Sequence, residues 1–324
     1  MRKIVFLFLL PLPLFAQSSK AGQAGAKFLS LPYNVRGESM GGSYVNISDA
    51  SSIFTNPAGV SNINRRSVYI LSGYYWGILQ FGASYIIPTK RGNVGFFIGG
   101  VNISGFEAYS VDLNGNIIYE GSFSYLGSQI GANFSRYLTD KFSIGINGKF
   151  IYEGFGGYSN AYSLALDVGT YYMTGFRDFV LGASIRHFGF DLKPSGEYTK
   201  YVYEASLDSS KQSYSAYKLP AIFSFGISGS ILRSAYGKLS FALQIDHPVD
   251  NLENYNIGLE YSLIDILFIR TGYKIYQNVD EAVAGANGIT FGLGVRYGRL
   301  GVDYGFYNKG ILPPINQVAL YYSF

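Results

Sequence analysis

Alternation with a period of two residues is the feature that most constrains the fold of this chain. From Ile289 to Tyr297, a large apolar residue occupies every second position, and Thr, Gly or Arg occupies the others. The run from Val318 to Phe324 and several upstream runs follow the same pattern. Successive side chains of a strand point to opposite faces, so this spacing predicts strands with one apolar face and one small or polar face.

Fourteen such runs can be counted, an even number as a closed bacterial barrel requires. If Phe324 is periplasmic, every second connection counted back from it is short, whereas residues 191–218 and 277–286 form long outer connections. Residues 112–116 contain Asn-Gly and predict a hairpin turn. The predicted strands are 67–74, 76–88, 92–109, 123–139, 142–159, 161–173, 179–191, 219–232, 239–249, 253–264, 267–276, 287–298, 300–309 and 316–324.

The strands of a soluble sandwich alternate in the same way, so three other features decide between a lipid environment and a protein core. Aromatic residues cluster at strand ends, as in Tyr74–Trp76. Residues 1–16 have the cationic start and short apolar run of a signal peptide. Tyr322 and Phe324 resemble the C-terminal signal read by the barrel-assembly machinery. We therefore predict an all-β protein of the bacterial outer membrane, with a 14-stranded antiparallel transmembrane β-barrel at residues 67–324 in contact with outer-membrane lipid.

The composition argues against most catalytic and metal-binding chemistry. The chain has 324 residues, no Cys and only two His, and its net charge of +4 includes Arg2 and Lys3 of the signal peptide. Thiolate chemistry is excluded, and nucleic acid is not expected as a partner. His187 and His247 are interpreted as residues of the aromatic girdle or of loops. We expect a non-enzymatic protein with no catalytic residue, metal or cofactor.

Residues 17–66 do not alternate, and their apolar side chains would be exposed if the segment were disordered. We predict an N-terminal plug segment folded into the barrel lumen, in which residues 37–59 close the pore. Asn56 is expected to bind the wall and Pro57 to fix the turn. The predicted plug motif is Gly41, Gly42, Asn56, Pro57, Ala58 and Gly59. Eight glycines on the inner face would leave room for it: Gly145, Gly169, Gly182, Gly226, Gly258, Gly272, Gly292 and Gly294.

The alternation also places charged residues on the inner face. Five are acidic and five are basic, which favours cross-strand ion pairs over a constriction of one sign. They are Lys149, Glu153, Asp167, Arg186, Asp246, Glu260, Arg270, Lys274, Arg296 and Asp303.

Three stretches, Gly25–Leu29, Arg36–Gly42 and Ile53–Gly59, resemble the opening of the PorV/PorQ family of outer-membrane proteins, which is related to FadL-type (OMPP1/FadL/TodX) barrels. Later stretches agree, so the resemblance extends over nearly the whole mature chain. It implies a 14-stranded barrel with a luminal N-terminal segment. It also implies, for members found with a type IX secretion system, that secreted proteins are received by their C-terminal signal domains.

Three functions remain open from the sequence. The first is receipt of exported proteins at the outer loops, with residues 191–218 and 277–286 as contact regions; a simpler role for residues 191–218 is a solvated cap. The alternative is FadL-like transport of a hydrophobic ligand through the lumen and a lateral gap in the wall. The third is a general diffusion pore, which needs an open lumen.

Overall fold

The structure of the protein, a computed structural model, describes residues 22–111, 115–203, 207–276, 288–309 and 312–324. The predicted signal peptide at 1–16, the predicted loop at 277–286 and residues 112–114 of the predicted turn lie outside the described residues. Within these ranges, no helix has the length and apolar character needed to cross a membrane.

Fourteen strands close into one antiparallel barrel, as predicted, and two more form a separate hairpin. Each barrel strand pairs with its neighbour in sequence, except that β7 pairs with β10 because β8 and β9 form the hairpin. Pairing of β1 with β16 closes the cylinder. The strands are β1 Ser67–Tyr75, β2 Ile78–Thr89, β3 Gly92–Val111, β4 Ile117–Tyr137, β5 Phe142–Phe155, β6 Ser159–Met173, β7 Val180–Gly189, β8 Glu197–Tyr203, β9 Leu207–Ser213, β10 Ile222–Arg233, β11 Gly237–Pro248, β12 Asn254–Leu263, β13 Leu267–Tyr276, β14 Gly288–Tyr297, β15 Leu300–Lys309 and β16 Leu312–Ser323.

The outer face of the barrel is apolar and the inner face is small or polar. On β14, Phe291 and Leu293 are 51% and 52% exposed, whereas the intervening Gly292 and the preceding Thr290 are buried. Other strands repeat this alternation of exposed apolar and buried polar positions. Hydrocarbon solvates such an exterior, and a closed barrel leaves no unpaired edge within it. The chain is therefore an outer-membrane β-barrel.

Two strands begin four or more residues earlier than the alternation predicts. β4 begins at Ile117, six residues before the predicted start, because its first residues pair only with β3 in a ribbon that extends beyond the rest of the barrel. β3 and β4 have 20 and 21 residues, whereas about 9–11 residues span a bilayer. β16 begins at Leu312, although Pro313 and Pro314 follow.

The connections differ in length between the two ends of the barrel. At one end the turns are 90–91, 138–141, 174–179, 234–236, 264–266 and 298–299, none longer than six residues. The opposite end carries the connection 190–221, which contains the β8–β9 hairpin. Short turns are typical of the periplasmic end of such barrels. The chain enters β1 and leaves β16 at this periplasmic end.

A charge placed on the outer face should destabilise the barrel. Replacing Leu293 with Arg puts a guanidinium in hydrocarbon and should lower the free energy of unfolding by about 2–4 kcal/mol. The measurement is urea unfolding of the protein refolded in phosphatidylcholine vesicles, with fluorescence of Trp76, the single tryptophan, as the probe. Ser213→Arg on the outer hairpin is the control. Equal unfolding of both variants would contradict a lipid-facing β14.

Candidate functional site

A luminal segment, residues 26–63, lies across the inside of the barrel. Tyr33 and Phe54 from this segment share a buried apolar cluster with Tyr69 of β1. On another side, the backbone N–H groups of Tyr44 and Val45 donate to Oε1 of Gln244 on β11, at 2.9 and 2.8 Å. The segment therefore contacts strands on separate sides of the barrel.

The segment is made of four short helical turns, three of which are capped at the N-terminus by an Asn or Asp side chain. The only α-helix among the described residues, α1, runs from Val35 to Glu38, and the carboxamide oxygen of Asn34 accepts from the N–H of Gly37 at 2.8 Å. Three 3-10 helices span Lys27–Ser30, Ala50–Phe54 and Pro57–Asn62. Asn and Asp caps of this kind satisfy backbone donors that the lumen would otherwise leave unpaired.

Seven of the eight inner-wall glycines named from the sequence face this segment. A methyl group added at any of them would meet segment atoms, so larger side chains at these positions would displace it. Gly294 differs, because it lies against Arg270 and Asp303 instead. The seven are Gly145, Gly169, Gly182, Gly226, Gly258, Gly272 and Gly292.

Two glycines of the segment allow the closest approach to the wall. Gly41 and Gly42 have φ angles of 71° and 86°, which favour glycine. A side chain at Gly41 would lie 2.7 Å from backbone atoms of both β12 and β13. The Gly41 N–H donates to Oγ1 of Thr290 at 2.9 Å, which joins the turn to β14.

Asn56 connects the segment to itself and to the wall. Its Nδ2 donates to the carbonyls of Val45 and Thr170, at 2.7 and 2.9 Å, and Thr170 belongs to β6. Its Oδ1 accepts from the N–H of Ala58 at 3.1 Å. Pro57 occupies the first position of the following 3-10 helix, which also contains Ala58 and Gly59. All four residues are buried.

Five charged residues, of which Arg36 and Arg296 are half-buried and the others buried, form a ladder from the segment to the wall. Arg36 donates to both oxygens of Glu260, at 2.8 and 2.7 Å. Arg270 donates to Glu260 at 2.7 Å and to Asp303 at 2.8 Å. Arg296 donates to both oxygens of Asp303, at 2.9 and 2.7 Å. Asp49 lies 3.6 Å from Arg36 and balances the third cation.

A second charged cluster lies at an irregularity between β6 and β7. The register shifts between Leu166 and Val168, so that two residues of β7 lie opposite one residue of β6. These two consecutive residues, Arg186 and His187, are both buried. His187 has a φ of 59°, and its backbone N–H donates to Asp167 at 2.7 Å. Lys149 lies 2.7 Å from the same carboxylate and 2.6 Å from Nδ1 of His187. This is a β-bulge held by a buried ion pair.

The interpretation of His187 as a girdle or loop residue was wrong, because the bulge turns its side chain inward. Strict alternation would have placed it on the face opposite Arg186. His247 is the penultimate residue of β11, with its side chain 58% exposed and 2.8 Å from Glu253.

Three of the remaining predicted charges, Asp246, Glu153 and Arg186, bind neutral groups. Asp246 accepts from Ser224, Gln244 and Asn256. Glu153 accepts from the hydroxyls of Tyr125 and Tyr217. Arg186 donates to the hydroxyl of Tyr44, and Lys274 lies beside Gly42 of the segment. The ten predicted charges are thus divided among several separate clusters around the segment.

The luminal segment has cavities on both sides. Toward the outer end is a cavity of about 390 Å³, lined by Tyr33, Phe54, Arg186, His187, Asp246 and Lys274 among others. Toward the periplasm are cavities of about 760 Å³ and 300 Å³. Arg36 lines both periplasmic cavities, so the charged ladder lies on that side.

A groove of about 740 Å³ lies on the lipid-facing side of β4 to β7, next to the bulge. Its floor includes Gly148, Ala165 and Gly189. A Cβ atom added at Gly148 would have no other atom within 4 Å, so there is open space in front of this residue. Its apolar walls are Ile130, Phe150, Leu164, Leu166, Phe188 and Phe190. The role of Gly148 was not predicted from the sequence, although the alternation places this glycine between Ile146 and Phe150 on the apolar face of the strand.

The C-terminal aromatic residues lie at the periplasmic end. The rings of Tyr322 and Phe324 meet edge to face, with centroids 4.8 Å apart. The N–H of Phe324 donates to the carbonyl of Arg66, which fixes the last residue beside the start of β1.

No family model matches the sequence, and no curated protein does. Among solved structures, the fold is similar to the CymD monoaromatic hydrocarbon channel (12% identity, TM-score 0.58), over 90% of this chain and 97% of that one. The toluene transporter TodX of Pseudomonas putida matches at 14% identity and 0.57, over 90% and 98%. A FadL homologue of Pseudomonas aeruginosa matches at 12% and 0.55, over 91% and 99%. The fold is therefore of the FadL type, whereas nothing in these comparisons supports the PorV/PorQ resemblance.

Removing part of the luminal segment should open the pore. Deletion of residues 37–59 should raise single-channel conductance in planar bilayers from near zero to a stable open level. Gly272→Val is a smaller change with the same expected direction, because its side chain would collide with the backbone of Gly41. Ser72→Val, exposed on the outer side of β1, is the matched control. An open wild-type pore, or a closed pore in both folded variants, would contradict closure by the segment.

Breaking the charged ladder should cost stability. Glu260→Gln leaves Arg36 and Arg270 without their shared carboxylate, and we expect a loss of about 3 kcal/mol in the free energy of unfolding. Urea unfolding in vesicles measures it. Glu120→Gln, at an exposed position of β4, should change stability by less than about 0.5 kcal/mol. A similarly small effect for Glu260→Gln would contradict this prediction and mean that water solvates Arg36 and Arg270 in place of the lost carboxylate.

Proposed function

We propose that the protein is a non-enzymatic outer-membrane channel for small hydrophobic molecules. Such molecules would enter the outer luminal cavity and leave sideways into the bilayer through the groove on β4 to β7. The neighbours of similar fold, a monoaromatic hydrocarbon channel and a toluene transporter by their names, support this class of substrate.

The observation that carries the proposal is that, of four consecutive residues of β7, two line the outer luminal cavity and the next two line the lipid-facing groove. Arg186 and His187 line the outer cavity, whereas Phe188 and Gly189 line the groove. The bulge makes this possible, because it moves the strand out of register at that point. Lys149, which lines the groove, lies 2.6 Å from Nδ1 of His187, which lines the cavity.

The distribution of polarity favours this sideways route. A molecule continuing to the periplasm would have to pass the segment and then the cavity lined by Arg36 and Glu260. Apolar contact there would displace water from charged groups at a free-energy cost. The groove is lined mainly by aliphatic and aromatic side chains, and its one charged lining residue, Lys149, is paired with Asp167. Exit into hydrocarbon avoids that cost.

Filling the groove tests the route. Cells expressing the wild-type protein should take up the hydrophobic dye N-phenyl-1-naphthylamine several-fold faster than cells with an empty vector. Gly148→Phe should remove most of this gain, because the ring occupies the groove without touching the lumen. Ser72→Phe, on the outer face of β1, adds the same ring elsewhere and should leave uptake unchanged.

The two outcomes separate two errors. If the wild-type protein gives no gain over the empty vector, the channel function is wrong. If Gly148→Phe transports like the wild type at equal surface expression, only the sideways exit is wrong.

Receipt of exported proteins stays a hypothesis from the resemblance alone. One of its two predicted contact regions, residues 277–286, lies outside the described residues. The other contains the β8–β9 hairpin. Capture of secreted proteins with a shared C-terminal domain by intact cells, lost on deletion of residues 197–213, would favour this function over transport.

A further inference from the structure

The periplasmic end of the barrel carries a ring of cations, all exposed except the half-buried Lys238, that the proposed channel function does not use. Ten Lys and Arg residues lie in or beside its turns and at the start of β1, against three acidic side chains: Asp140, Asp178 and Asp265. The cations are Arg65, Arg66, Lys90, Arg91, Arg136, Lys141, Arg177, Arg233, Lys238 and Arg299. Summed, these residues carry seven excess positive charges at this end.

Only two members of the ring have an acidic partner within the ranges that the structure describes. Lys238 and Arg233 lie 3.0 and 3.3 Å from Asp178. Partial burial acts to raise the pKa of Asp178, but hydrogen bonds from Ser230 and the ammonium of Lys238 outweigh it and hold that pKa below its usual range. Asp178 therefore stays anionic and pairs with both neighbours, and the other eight cations have no ion pair among the described residues.

The cations are distributed around the barrel. Five of the six periplasmic turns contain one or have one directly beside them, and the pair at Arg65 and Arg66 precedes β1. The exception is the turn 264–266. A protein partner docking on one side would need a local patch, whereas an encircling ring matches the annulus of lipid that surrounds a barrel.

Apolar side chains accompany the cations at the same level. Leu138, between Arg136 and Lys141, is 52% exposed, and the guanidinium of Arg177 lies 5.7 Å from the ring centroid of the exposed Phe176. Exposed Tyr297 lies two residues before Arg299. Residues at the boundary of a bilayer combine apolar parts in the acyl region with charges at the headgroups.

The opposite end lacks this excess among the residues described there. Asp191 is followed closely by Lys193, and Asp250 pairs with Lys27. The asymmetry therefore belongs to one membrane leaflet, the one that contacts the periplasmic turns.

We propose that this ring binds the phosphate headgroups of anionic phospholipids in the periplasmic leaflet and thereby fixes the depth of the barrel in the membrane. Each exposed Arg or Lys offers several N–H donors to a phosphate, and juxtamembrane cations attract anionic lipid surfaces in the same way. The attraction falls with added salt because the ring is exposed.

The test compares lipid selectivity in reconstituted vesicles of the full-length mature protein. Spin-labelled phosphatidylglycerol and phosphatidylcholine report their relative association with the barrel by electron paramagnetic resonance. We expect the wild-type protein to prefer phosphatidylglycerol about fivefold at low salt, and less in 1 M NaCl. A ring variant should reduce the ratio toward one; it carries Arg66→Gln, Arg91→Gln, Arg136→Gln, Arg177→Gln and Arg299→Gln.

The control removes cations from the outer end, with Lys193→Gln and Lys211→Gln, and should keep the wild-type ratio. Heat-modifiable migration on gels verifies that all three proteins are folded. Two results would overturn the proposal: a wild-type ratio near one, which would leave the ring free for a protein partner, or a ring variant that keeps the wild-type ratio. Neither result depends on transport of a hydrophobic molecule.

Discussion

The pairing of β1 with β16 is the interaction on which the rest of the structure depends. Seven residue pairs from Ser67 to Gly73 join the first and last strands and leave no open edge in the bilayer. Each unpaired backbone group there would cost several kcal/mol, since hydrocarbon offers no hydrogen bond. This requirement explains why each of the fourteen barrel strands pairs with a strand on both sides. Unpaired edges occur where β3 and β4 extend past their other neighbours, beyond the closed ladder.

Closure creates a second requirement, because the interior must be filled or left as a water channel. Glycines at the inner wall let the luminal segment approach the strand backbones. Polar wall residues then satisfy its backbone: Gln244 accepts from two N–H groups, and Asn93 donates to the carbonyls of Val60 and Ile63. Small and polar inner positions thus serve different purposes. The first provide space and the second provide specific binding.

The β-bulge of β7, opposite Asp167, shows how a single irregularity gives one part of a regular barrel wall its own cavity and groove. By turning both Arg186 and His187 inward, it makes β7 part of the luminal cavity and of the lipid-facing groove within four residues. The buried Lys149–Asp167 pair holds the irregular backbone in place. Bulges of this kind are frequent beside functional sites because they redirect side chains without breaking the sheet.

The strands and their orientation could be predicted from the sequence because side-chain direction along a strand depends only on parity. The run Ile289–Tyr297 was sufficient to assign an outer face to Leu293 and an inner face to Gly292, and the same parity gave the inward charges. The C-terminal position of Phe324 and the short turns supplied the orientation in the membrane.

The alternation could not predict which inward charges contact each other, or at which residues a register shift interrupts the alternation. Arg36 and Glu260 are 224 residues apart and become partners only because the segment passes β12 inside the closed barrel. His187 faces inward only because a register shift inserts one extra residue. The sequence by itself thus determined an alternating, lipid-facing cylinder, since that depends on local geometry. The tertiary structure alone decided the charged clusters, the cavities and the groove, since these depend on contacts between distant strands.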